Sequence, residues 1–158
     1  LQPSTPMRLH SLVPVLLFFG TVATATATRA PATDPLPPMR VVKSPSCGCC
    51  TAWVDYMKSK GFKITVEPRE DLPSLKRANG VTPELESCHT AFVGGYVVEG
   101  HVPAELVKQL LTTKPAGVKG ISVPGMPIGS PGMEQGPPQR YTVYTFDAKG
   151  KATVYAKR

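Results

Sequence analysis

A mixed α/β sandwich is the fold class this sequence predicts, and three observations predict it. From residue 39 onward, β-prone stretches and helical stretches alternate in the order strand, helix, strand, helix, strand, strand, helix. A last pair of β-prone stretches on either side of Gly150 reads as a C-terminal β-hairpin. The length of 158 residues suits one domain of ordinary size with a single buried core.

Each element has its own reason. Met39-Arg-Val-Val-Lys43 is β-branched and apolar, and it stops at Ser44-Pro45-Ser46. Cys49 to Lys60 carries helical spacing, with Ala52, Trp53, Tyr56 and Met57 on one face and Asp55, Lys58 and Ser59 turned away. Gly61 supplies a C-terminal stop. Phe62 to Glu67 alternates as a second strand, and Leu72 to Asn79 is a shorter helix ended by Gly80. Thr90–Val93 and Tyr96–Glu99 flank Gly94-Gly95, a strong hairpin signal. Pro103 to Thr112 is a third helix, with Leu106/Leu110 and Val107/Leu111 stacked at i, i+4. Pro115 to Pro138 is rich in Gly, Pro and Met and shows neither period, so a long loop is expected there. Tyr141–Asp147 and Ala152–Ala156 form the hairpin. This order is that of a thioredoxin-like sandwich.

The chain before residue 39 reads as address and tether. Met7 to His10 is a short basic start, Ser11 to Gly20 an apolar run, and Thr21 to Ala30 a small-residue stretch with Ala-x-Ala sites. An apolar run that short cannot span a bilayer, which needs ~20 residues. Residues 1–30 are therefore expected to be a cleaved export signal with a few residues upstream of Met7. Residues 31–38 form a Pro-rich linker, and residues 39–158 the folded domain. Without residues 1–30 the chain keeps 16 basic against 11 acidic side chains, scattered singly. Such a surface is not a nucleic-acid footprint, and an aromatic content of 7% argues against a base-stacking platform. No nucleic acid and no stable membrane span are expected.

The chemistry lies in the cysteines. Ser46-Cys47-Gly48-Cys49-Cys50-Thr51 sets three thiols where the first strand meets the first helix, whose unpaired N–H groups favour thiolates. Cys47 and Cys50 alone make a Cys-x-x-Cys redox pair. Cys49 adds a third sulfur that a simple dithiol exchanger does not need. Three thiolates so close repel one another unless a soft cation neutralises them, and soft thiolates select Cu(I), Zn(II) or an iron–sulfur cluster. Cys88 is the fourth sulfur, 38 positions beyond Cys50 but just ahead of the expected third strand. Three readings stay open at this point: two disulfides in an oxidising compartment, a redox dithiol, and a metal–thiolate centre. Of these the metal–thiolate centre accounts best for Cys49. His89 and His101 suit ligation or ordinary hydrogen bonding. Met126 and Met133 suit either thioether ligation, which favours copper over zinc, or an apolar lid. Trp53 and Tyr56 read as core.

Three ordered motifs resemble one family. Lys43-Ser-Pro-Ser-Cys-Gly-Cys-Cys50 is followed by Trp53, then by Ser87-Cys-His-Thr-Ala91 with Gly95-Tyr96-Val97 and Glu99-Gly-His-Val-Pro-Ala104. Val123-Pro-Gly-Met-Pro-Ile-Gly-Ser-Pro-Gly-Met-Glu134 completes the set. Together, across roughly Met39 to Ala156, they are similar to the CopG-type periplasmic copper-resistance proteins. The resemblance implies copper held as a Cu(I) thiolate cluster, of one or several ions, on Cys47, Cys49, Cys50 and Cys88. His89, His101, Met126 and Met133 match as further metal ligands. It also implies a place beside copper-export or copper-oxidising proteins. The expected function is therefore an exported protein that sequesters or relays Cu(I) in copper resistance, with interconversion of Cu(I) and Cu(II) chemically open to it. The alternative is a thiol–disulfide oxidoreductase working through Cys47 and Cys50.

Overall fold

The first strand is buried at every position but its second, because one face meets helices and its far end is covered on both faces. Met39 and Val41 are buried in one cluster with Trp53, Val54 and Met57, while Arg40 faces solvent. This strand, β1 (Met39–Lys43), runs into helix α1 (Gly48–Ser59) and then β2 (Ile64–Pro68). Gly61 follows the helix with φ of 94° and donates its N–H to the Lys58 carbonyl, the expected stop. Helix α2 (Leu72–Ala78) is capped by the Asp71 carboxylate on the Ser74 N–H, and a 3-10 turn at Pro83–Leu85 leads into β3 (His89–Val93). Gly94 and Gly95, both at positive φ, turn the chain into β4 (Tyr96–Glu99). After them come helix α3 (Ala104–Thr113) and strands β5 (Gly120–Ser122), β6 (Thr142–Phe146) and β7 (Ala152–Lys157). The computed structural model describes residues 35–158; the expected export signal and residues 31–34 of the linker lie outside them.

The seven strands form one mixed sheet in the order β2-β1-β3-β4-β5-β6-β7. β1 pairs parallel with β2 and antiparallel with β3, in a register that sets Lys43 opposite His89. That pairing places the end of β1, and therefore the start of α1, beside the start of β3. One face of the sheet packs against α1 and α3 through Trp53, Met57, Val107 and Leu110. A second cluster of Val81, Leu85, Val97 and Phe146 closes the other face. Burying one such side chain is worth about 1.5–3 kcal/mol. The architecture is thus mixed α/β, as expected.

One expectation fails within Pro115–Pro138, which reads as a loop with no strand. Gly120–Ser122 is β5, parallel to β4 and antiparallel to β6. Three residues opening on a glycine are too few to show a period of two; the strand exists because two neighbours supply its partners. Gly120 lies against the Phe146 ring and the Val97 carbonyl, where a Cβ would collide. The C-terminal hairpin therefore continues the main sheet through β5.

Candidate metal centre

Cys47 is the N-cap of α1, and its sulfur accepts the Cys50 N–H at 3.3 Å. No acidic residue occupies the first helical turn. Thr51 adds a bond from its hydroxyl to the Cys47 carbonyl at 3.2 Å. Cys47 and Cys50 are joined as a disulfide, whereas Cys49 and Cys88 are free thiols. The Cys49 sulfur lies 3.4 Å from that of Cys47. Cys88 reaches the group from the residue before β3, and all four sulfurs lie within 4.8 Å of one another. Sulfur atoms distant in sequence do converge. They do so, however, as one disulfide and two thiols rather than as four thiolates.

Cys88 is surrounded by histidines. Its sulfur is 2.9 Å from His101 Nε2 and 3.4 Å from His89 Nδ1. His101 Nδ1 lies 2.7 Å from the Pro131 carbonyl, which can only accept, so Nδ1 carries the proton and Nε2 accepts from the Cys88 thiol. Burial, and then the neighbouring Cys49, push the Cys88 thiol up to about 12, so an uncompensated thiolate is disfavoured there. His89 is fully buried, with its ring 4.4 Å from that of Trp53 and edge-on to His101 at 5.1 Å. Its Nε2 has no hydrogen-bond partner among the described residues. Burial holds His89 well below its ordinary 6.5, and His101, Lys76 and Lys43 add to the effect. Cys88, His89 and His101 offer one donor atom each within 4.8 Å, a second grouping that shares Cys88 with the first.

The methionine segment caps this end of the sheet. Pro131 holds His101, and Gly132 sits on the first turn of α1, where a Cβ would lie 2.8 Å from the Trp53 nitrogen and 3.0 Å from the Cys49 carbonyl. Gly132 donates its N–H to Glu134 at 2.9 Å, and Met133 donates to the Ser130 carbonyl at 2.8 Å. Met133 is half-buried; Met126 is 51% exposed and turned largely to water.

Two solved structures of a copper resistance protein, copG, are similar to this chain. One, form 2, is 39% identical with a TM-score of 0.73, covering 79% of this chain and 99% of that one. The other, form 1, is 38% identical with a TM-score of 0.72, covering 78% and 98%. This chain belongs to the CopG copper-resistance family. A family model described as a protein of unknown function, DUF411, matches residues 85–133, the stretch that holds Cys88, His89, His101 and the methionine segment. No curated protein matches the chain.

Sequence reasoning missed one element of this CopG-family site. Glu99, fully buried, accepts from Lys76 Nζ, from the Thr90 hydroxyl at 2.7 Å and from the Ser87 N–H at 2.7 Å. Lys76 is 3% exposed and also meets the Thr90 hydroxyl at 3.2 Å. Burial pushes the Glu99 carboxyl up, and Lys76 pulls it back. The network grips the residue before Cys88 and the residue after His89, so it fixes the short segment that carries the fourth sulfur. A carboxylate closing Tyr-Val-Val-Glu immediately before a glycine was the available signal.

Proposed function

We propose that this chain is an exported copper-binding protein that sequesters or relays Cu(I) through Cys47, Cys49, Cys50 and Cys88. Its copper-resistance relatives and the cysteine cluster support a copper-related role. The observation that carries the reading is the meeting of four sulfurs within 4.8 Å, from two segments 38 positions apart. Soft donors at that density suit a thiophilic ion, which also supplies the positive charge that Cys88 lacks. Copper is the cargo here. Adding two electrons to the Cys47–Cys50 disulfide yields the remaining two thiolates. His89, His101, Met126 and Met133 are the auxiliary donors, with the unpartnered Nε2 of His89 the best supported.

The same sulfurs can exchange electrons with the cargo. Two Cu(II) ions each take one electron from a cysteine pair, giving two Cu(I) and one disulfide. Residues 1–30 direct export to the periplasm, residues 39–158 act as a thioredoxin-like metal-binding domain, and copper-export or copper-oxidising proteins are the partners. Among the described residues no helix is long and apolar enough to cross a membrane. Metal analysis of protein from copper-supplemented cells, paired with a thiol count, tests the whole. Copper retained by the four-cysteine chain, with thiols lost on exposure to Cu(II), is expected. Absence of copper sinks the binding reading; copper bound with every thiol unchanged sinks the electron exchange.

A second reading has one observation in its favour, the Cys47–Cys50 disulfide itself. A thiol–disulfide oxidoreductase would use that pair alone. Cys49→Ser separates the two: an exchanger keeps its disulfide reductase activity, whereas a thiolate site loses copper.

A further inference from the structure

We propose that the disulfide migrates within the site, from Cys47–Cys50 to Cys49–Cys88, making these four residues an intramolecular relay with Cys88 as its terminal thiol. The proposal rests on the convergence of the sulfurs and not on copper. Cys49 Sγ sits 3.4 Å from Cys47 Sγ, so a free thiol already touches a disulfide-bonded sulfur. The other free thiol, Cys88, belongs to the same group, and its sulfur lies 2.9 Å from a histidine nitrogen oriented by the Pro131 carbonyl. Gly48, between Cys47 and Cys49, is exposed, and a Cβ added there would meet nothing within 4 Å.

Exchange proceeds in two balanced steps. Cys49 Sγ bonds to Cys47 Sγ while the Cys47–Cys50 bond breaks; Cys50 leaves with the electron pair and takes up the proton lost by Cys49. Cys88 Sγ then bonds to Cys49 Sγ while the Cys47–Cys49 bond breaks. The Cys88 proton passes to His101 Nε2 and from there to the departing Cys47. One disulfide and two thiols exist before and after, so no outside oxidant or reductant enters. The N-terminus of α1 favours negative charge on Cys47 and Cys50, which makes both good leaving groups and speeds each exchange. Cys50 is buried, whereas Cys49 and Cys88 are half-buried, so migration brings the disulfide to the more accessible pair.

The test uses the metal-free full chain carrying one disulfide, quenched in acid, alkylated and cut with trypsin. Cys47, Cys49 and Cys50 then lie on peptide 44–58 and Cys88 on peptide 78–108. Only a bond to Cys88 joins the two, and fragmentation places its other end. Wild type is expected to show a minor joined species through Cys49. Cys50→Ser, which leaves only the second step, should raise that species by about tenfold. His101→Gln should slow its appearance by about tenfold without changing its final share. Cys88 free in every wild-type and Cys50→Ser molecule overturns the relay. An unchanged rate in His101→Gln overturns the role of His101. Copper titration of the same samples is read separately, so loss of the relay with copper binding intact is distinguishable from failure of the copper reading.

Discussion

Cys88 shows how little of a site one residue decides by itself. Its sulfur is placed by Glu99 from behind, through the Ser87 N–H, and is met in front by His101 and His89. Cys88→Ser removes the one sulfur that comes from the second segment. Copper affinity, read by competition with a Cu(I) chelator, should fall at least about tenfold, a loss of ~1.4 kcal/mol. Unchanged affinity would mean the other three sulfurs suffice. The buried pair behind it is a separate case. Lys76→Met leaves Glu99 charged and buried without its cation, a cost of about 3–5 kcal/mol by urea unfolding. Replacing both partners with apolar residues should restore much of that loss. A single variant as stable as wild type would show that the pair carries little stability.

Among the elements, the methionine segment and helix α1 depend on each other. Gly132, at φ of 83°, approaches the first turn of α1 so closely that a side chain must displace backbone. Gly132→Ala is therefore expected to cost about 1–3 kcal/mol and to lift the segment from the helix. Faster cleavage of residues 124–138 by a nonspecific protease would reveal the lifting. Cleavage at the wild-type rate would mean that the segment is held elsewhere, through Gly125 on the Glu86 carbonyl or Gln139 on Ile128. Helix α1 has a further anchor, the Trp53 indole N–H on the Val102 carbonyl at 3.0 Å. That bond ties the cysteine helix to the chain just after His101.

For the molecule as a whole, the buried histidines give stability a pH dependence. His89 and His101 are both held below 6.5 in the fold, burial being the first cause for each. The unfolded chain therefore binds more protons once pH falls below 6.5, and stability is full above that value and lost beneath it. Cys88 acts at the other end. Its folded value of about 12 exceeds the ordinary 9.0, so its contribution is full below 9.0 and declines as pH rises towards 12. Urea midpoints of metal-free protein should trace a plateau between these limits. A midpoint that holds steady well below 6.5 would count against neutral buried histidines.

The sequence by itself determined the mixed α/β class, all three helices and six of the seven strands, because hydrophobic period and glycine stops are local signals. It also set out all four sulfurs as candidates, since three clustered cysteines and one isolated cysteine are visible as letters. Tertiary structure alone decided that Gly120–Ser122 is a strand, that Cys47 bonds Cys50 while Cys49 stays free, and that Lys76 and Glu99 meet 23 positions apart. It also decided that His101 faces a sulfur on one side and a carbonyl on the other. Apart from the local Cys47–Cys50 bond, each of these depends on distances between segments that do not touch until the sheet has formed. Pattern along a chain records what each stretch prefers; only the register of β1 against β3 brings its end beside the start of the other.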